Sequence, residues 1–123
     1  MNGILLVNHF LKGEKYSTLH NHLVSAAKKC SINLDIKTNL ELATQNANAD
    51  FVLFWDKDIN LAKRLEKSNI PVFNSASAIE KCDDKGLTYI ELDKIVPQPK
   101  TLTSPKCYFK SDMSEFVKKA IDI

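Results

Sequence analysis

The apolar positions switch between short continuous runs and helical spacing from the first residues onward. Ile4 to Val7 is an unbroken apolar run, the pattern of a parallel strand buried on both faces. Leu19, His22, Leu23, Ala26, Ala27 and Cys30 then fall at i, i+3, i+4, i+7, i+8 and i+11. That spacing predicts one helical stripe facing a core, with His22 packed inside it. Ile32, Leu34 and Ile36 alternate with polar residues, so 32–37 reads as a half-exposed edge strand. Thr38 and Glu41 have capping-box spacing and should start a short helix through Leu40, Ala43 and Ala47. The wholly apolar stretch Phe51 to Trp55 reads as a central strand, Asp58 as the cap of a helix carrying Ile59, Ala62 and Leu65, and Pro71 to Phe73 as a fourth strand.

Strand and helix in this rhythm imply right-handed crossovers and a three-layer α/β domain, Rossmann-like, with a parallel sheet of about four strands covered on both faces. The expected spatial order is 2-1-3-4. Ligands of such sheets bind outside the carboxyl ends of the strands, which here offer Asn8, His9, Asp56, Asn74 and Ser75. Asn8 and His9 can act there as polar substrate contacts or as ordinary loop residues.

Beyond the fourth strand, Ser77 and Glu80 also have capping-box spacing, and Asp84 can cap a helix beginning at Lys85. Pro97 and Pro99 stop that helix, because proline removes a donor and disfavours helix before it. The reading is therefore a sheet domain over 1–83 and a second portion over 84–123. From Lys94 to Lys106 the chain reads as extended linker. Asp112 and Glu115 then start an amphipathic helix whose stripe is Met113, Phe116, Val117, Ala120 and Ile121. That stripe needs a partner, either further chain or a second copy in a homo-oligomer.

The ordered series Pro71, Asn74, Ser75, then Asp84, Lys85, Thr88, Tyr89, Leu92, Pro97, Pro99 and Thr101 resembles the entry to an ATP-grasp ligase. The resemblance is to the ribosomal-protein-S6-modification, glutamate-ligase-like branch, and it is confined to 70–101. It implies a small Rossmann-like pre-ATP-grasp domain, an asparagine on its last strand, an Asp-Lys pair opening a helix, and a Pro-x-Thr segment leading into the ATP-grasp fold. By the same resemblance the enzyme uses ATP and Mg2+ to make an acyl phosphate from a small-molecule or peptide carboxylate, which an amine or thiol then attacks. Asn8, His9, Asn74 and Ser75 would contribute one wall of the substrate cleft, and Lys85 would face the nucleotide as a mobile point charge. The remainder of the ATP-grasp domain would follow Ile123, leaving 84–123 as junction helix, linker and the beginning of that domain. Lys85 also has a plain reading, as a solvent-facing lysine in the first turn of its helix. Against the ligase stands a second class of function, a stand-alone flavodoxin-like binding or interaction module.

Composition narrows these classes. The chain has 123 residues, enough for one modest domain with a real core. Its formal charge of +2 is interleaved along the chain, so neither nucleic acid nor an anionic membrane is an expected partner. The longest apolar run is far too short to span a bilayer, and the apolar start lacks the basic leader of a signal peptide. Cys30, Cys82 and Cys107 are irregularly spaced and read as reduced thiols, so the expected compartment is the cytoplasm.

Other chemistries are excluded by their residue requirements. Gly3, Gly13 and Gly86 are scattered, so neither a dinucleotide fingerprint nor a Walker loop is present. His20 and His22 are two apart on a helix and point in different directions, which prevents them sharing a metal. Asp56 ends the third strand, as the phosphorylated aspartate of a receiver domain does. Such a domain needs an acidic pair after the first strand, where this chain has Asn8 and His9.

This inventory predicts that the 1–123 chain alone neither binds ATP tightly nor catalyses a reaction. A triphosphate needs several cations or a glycine-rich amide loop, and one exposed lysine does not offset the cost of immobilising a ligand. Calorimetry with Mg-ATP should show no saturable binding tighter than about 1 mM. A micromolar dissociation constant would overturn the inventory.

Overall fold

The computed structural model describes residues 1–93, 95–102 and 110–122, with side chains of 110–113 excepted. Strand β1 (Asn2–Val7) is hydrogen-bonded on both edges, to β2 (Asn33–Thr38) and to β3 (Phe51–Trp55), and β4 (Val72–Phe73) closes the far side of β3. All pairings are parallel and the spatial order is β2-β1-β3-β4, the expected topology. The intervening helices are α1 (Glu14–Lys29), α2 (Asn39–Thr44) and α3 (Ile59–Lys67), and α4 (Ala76–Asp83) follows β4. The chain divides into two compact units, Met1–Glu80 and Lys81–Ile123. The second contains α5 (Lys85–Leu92) and α6 (Lys110–Ile121). Among the described residues no helix is long and apolar enough to cross a membrane.

The two faces of the sheet are filled unequally. Alternation along the strands sends Ile4, Leu6, Val52, Phe54 and Val72 to one face, where they pack with Leu42 of α2, Leu61, Ala62 and Leu65 of α3, and Ala76 and Ile79 of α4. The other face carries Gly3, Leu5, Val7, Leu53, Trp55 and Phe73. Leu5 and Val7 are buried, but Trp55 is 44% and Phe73 59% exposed. The expectation of a sheet covered on both faces therefore holds for one face and only part of the other.

Helix α1 meets that second face with a different stripe from the expected one. His20 is buried, at 4% exposure, with its ring edge-on to Trp55 at 6.1 Å between centroids. Tyr16, Leu23, Val24 and Ala27 are half-buried, whereas His22, Ala26 and Cys30 are exposed. The helix is thus rotated so that His20, not His22, faces inward. The reason is that the apolar arc is wider than the sheet surface available, and its Leu19 side, 46% exposed, overhangs the uncovered part.

Local caps follow the sequence closely in most places. Thr38 and Glu41 form the capping box of α2, Asp58 accepts from the Leu61 amide, and Asp84 accepts from the Leu87 amide. Helix α2 ends sooner than expected, at Thr44, and buries Leu42 where Leu40 is exposed. Its phase is set by the capping box, and Ala47 packs against the core from the following loop. Ser77 does not cap α4. The helix starts earlier, with Ser75 Oγ accepting from the Ala78 amide and Glu66 Oε1 from the Ala76 amide, and Glu80 instead pairs with Lys63 at 3.7 Å. Helix α6 begins at Lys110, two residues ahead of Asp112. Of its apolar stripe Val117 and Ile121 are exposed, while Met113 lies outside the described side chains. Pro105, Cys107 and the linker positions Lys94 and 103–106 also lie outside the described residues.

The loop after β1 is tied to the start of α2. Residues His9–Leu11 form a single 3-10 turn, capped by Asn8, whose Oδ1 accepts from the Phe10 amide at 3.0 Å. Asn39 Oδ1 accepts from the His9 amide at 3.0 Å and lies 3.3 Å from His9 Nδ1. Lys12 Nζ reaches Glu41 at 3.0 Å. The backbone amide of Thr38, the Lys12 ammonium and the Thr38 hydroxyl together lower the Glu41 pKa to about 2 from its ordinary 4.5.

Both α1 and α3 end in Schellman turns, with Ser31 (φ 60°) and Asn69 (φ 58°) in the left-handed region. Their amides donate to Lys28 and Glu66, and those of Ile32 and Ile70 to Ala27 and Leu65. Ser31→Gly should raise the urea midpoint, by about 0.5–1 kcal/mol of stability, because glycine adopts this conformation without steric cost. A lower midpoint would contradict the assignment. A carboxylate whose folded pKa is depressed stabilises the fold fully above its unfolded pKa and ceases to do so as pH falls through its folded pKa. Glu41→Gln should therefore be less stable than the parent at neutral pH, with the difference vanishing as pH falls from about 4.5 to about 2. A difference independent of pH across that window would show that the Glu41 charge contributes nothing.

Candidate functional site at the carboxyl ends of the strands

The parallel register brings the ends of β1 and β3 side by side, Val7 opposite Trp55, so the residues that follow face one another. Asn8 Nδ2 lies 3.4 Å from each carboxylate oxygen of Asp56. Asp56 Oδ1 also accepts from the Lys57 amide at 2.6 Å, which folds the carboxylate back over the strand end. Asn74, joined to Phe73 by a cis peptide bond, points Nδ2 at the Phe54 carbonyl at 3.5 Å. Backbone geometry alone thus collects Asn8, Asp56 and Asn74 along one rim.

These three side chains line a cleft of about 570 Å3 whose other walls include Phe10, Leu11 and Trp55, with Lys57 also at its edge. The size suits a small molecule, and so does the composition of apolar walls with a few convergent polar groups. All the lining residues belong to the first compact unit. The apolar walls depend on the pinned loop: Asn39 and Glu41 hold the 3-10 turn that carries Phe10 and Leu11.

The five strand-end residues singled out from sequence fall into two groups. Asn8, Asp56 and Asn74 line the cleft. His9 is turned toward Asn39, with its ring 3.8 Å from that of Phe10, and Ser75 spends its hydroxyl on the first turn of α4. Phe10, Leu11 and Trp55 were not legible as site residues. Trp55 looked like the last core residue of a central strand, and only its place opposite Val7 at the strand end brings it to the rim. Asn39 is not singled out by the sequence pattern either; an Asx residue immediately after a cap at a strand end is the available signal.

Lys85 is exposed at the first position of α5, in the second unit, directly after the Asp84 cap. No glycine lies in a cluster that could approach phosphate, and among the described residues no three His, Cys, Asp or Glu side chains are grouped to hold a metal ion. Cys30 and Cys82 are free and exposed.

No protein-family model matches the chain, and no solved structure does. It is 33% identical over 92 residues to an uncharacterized protein of Mycoplasma genitalium, covering 68% of this chain and 32% of that protein. It is 29% identical over 109 residues to an uncharacterized homologue in Mycoplasma pneumoniae, covering 79% of this chain and 38% of the relative. The chain spans about a third of the length of the curated relatives it matches.

Proposed function

We propose that this chain is the amino-terminal, pre-ATP-grasp part of an ATP-dependent carboxylate–amine or carboxylate–thiol ligase that works through an acyl phosphate. The observation that carries this reading is the order of elements: a parallel β2-β1-β3-β4 sheet, then a helix opened by Asp84 and Lys85. That order agrees with the one the ATP-grasp resemblance implies. The length of the relatives supports it as well, since their unmatched two-thirds leaves room for a nucleotide-binding domain.

In this reading the first unit contributes one wall of the substrate cleft through Asn8 and Asn74, and the fragment itself is inactive. Lys85 supplies one cation toward phosphate, while ATP and Mg2+ are held mainly by the remainder of the ATP-grasp domain. The substrate is a small-molecule or peptide carboxylate, and the enzyme works in the cytoplasm. Neither nucleic acid nor membrane takes part, consistent with the balanced charge of +2.

The test is made on the full-length protein. Release of ADP should depend on a carboxylate, and hydroxylamine should trap the activated acid as a hydroxamate. Lys85→Ala should cost about 1–3 kcal/mol in apparent ATP affinity or turnover, the range for a lost charge-assisted phosphate contact. Unchanged kinetics at low ATP would reduce Lys85 to a surface lysine. Absence of carboxylate-dependent ADP release across a panel of acids would favour the stand-alone binding module.

A further inference from the structure

The strand-end cleft does not stop at its polar rim. Phe54, Trp55 and Asn74 line it and also line a second depression of about 410 Å3, which runs down the uncovered part of the sheet between α1 and β4. The walls of this groove are Leu5, Leu19, Leu23, Leu53 and Phe73, all apolar. The two depressions meet at Trp55 and Asn74.

The two ends differ in chemistry. At the rim Asp56 and Asn74 offer acceptors, with the Lys57 ammonium at the edge. A carboxylate has about four lone-pair positions, and the contacts of Asp56 to Asn8 and to the Lys57 amide leave some of them for a donor. Asn74 directs its amide nitrogen at the Phe54 carbonyl and lines the opening, where its amide oxygen is a further acceptor. Along the groove, by contrast, Leu19, Trp55 and Phe73 remain 46%, 44% and 59% exposed, and the apolar arc of α1 extends over it. Apolar side chains arranged around a concavity lower the free energy of a ligand that removes them from water.

We propose that cleft and groove form one elongated site for an amphipathic amine: a primary ammonium group bound at Asp56 and Asn74, with an unbranched or aromatic apolar body lying along Leu53 and Phe73. The proposal rests on the strand-end site and not on the ligase reading. Binding is read on this chain without ATP, so either reading can fail while the other stands.

Trp55 is the only tryptophan of the chain and sits where the two depressions meet, so its fluorescence reports on the site directly. Butylamine, hexylamine and octylamine would be titrated against Trp55 emission and against the side-chain amide resonances of Asn8 and Asn74. Saturable binding should tighten about fourfold for each methylene added, as expected for burial of a methylene from water. Hexanoate is the control for attraction by the Lys57 ammonium and should bind far more weakly than hexylamine. Asp56→Asn should weaken hexylamine by about tenfold or more and leave hexanol unchanged. Phe73→Ser, at an exposed position on an edge strand, should flatten the dependence on chain length while the protein stays folded. The proposal is overturned if binding of the parent protein does not saturate, if affinity is independent of chain length, if hexanoate matches hexylamine, or if Asp56→Asn leaves hexylamine affinity unchanged.

Discussion

Burial of β1 on both faces, with neighbours hydrogen-bonded along both edges, is the constraint on which the rest of the sheet depends. Gly3 to Val7 are all buried, and each pairs with β2 on one side and β3 on the other. Close approach at Gly3 helps hold this register. A Cβ there would lie 2.4 Å from Phe51 Cζ and 2.8 Å from Leu34 Cδ2, so the Phe51 ring occupies the space a side chain would take. Phe51 then reaches Phe73 edge-on, at 6.4 Å between centroids, linking the row to the outer strand. With β1 fixed in this way, β3 can begin only opposite Gly3, and the ends of the two strands must emerge together at Asn8 and Asp56.

The uneven covering of the sheet follows from helix supply. Helices α2, α3 and α4 contribute buried residues to one face, whereas within the first unit α1 alone serves the other. One helix is about 10 Å across and strands are spaced by about 4.8 Å, so a single helix covers roughly two strands of four. The apolar residues left over are those on β3 and β4, together with the Leu19 side of α1. The exposed surface of Trp55 and Phe73 is thus a geometric consequence of the order of elements, and it adjoins the polar rim without a break.

The electrostatic features near the rim are structural in their immediate role. Glu41 is drawn well below the ordinary carboxylate range by the Thr38 amide and by Lys12, and the Lys12 contact fastens the loop that carries Phe10 and Leu11 to α2. Asn39 fastens the same loop through the His9 amide. The rim residues are held by backbone contacts on rigid strands, which is the arrangement that keeps a small-molecule site in shape.

Much of the fold was determined locally and was therefore legible. The continuous apolar run at Ile4 to Val7 marks a strand buried on both faces, that at Phe51 to Trp55 marks a central strand, and the crossover rule converts strand-helix alternation into a parallel order. Capping residues Thr38, Asp58 and Asp84 act on amides three residues away, so sequence spacing suffices to place them. Tertiary structure decided what depends on a neighbour. The stripe on α1 is wide enough for two orientations, and the surface beneath it selected His20 over His22. Ser77 lost the cap of α4 to Ser75 because Glu66, ten residues earlier in the chain, supplies the other acceptor at that helix start. Asn8, Asp56, Asn74 and Trp55 meet only because parallel pairing aligns the carboxyl ends of strands far apart in sequence. A periodic pattern records which residues are buried; it carries no distance between strand ends, and that distance is what makes the cleft.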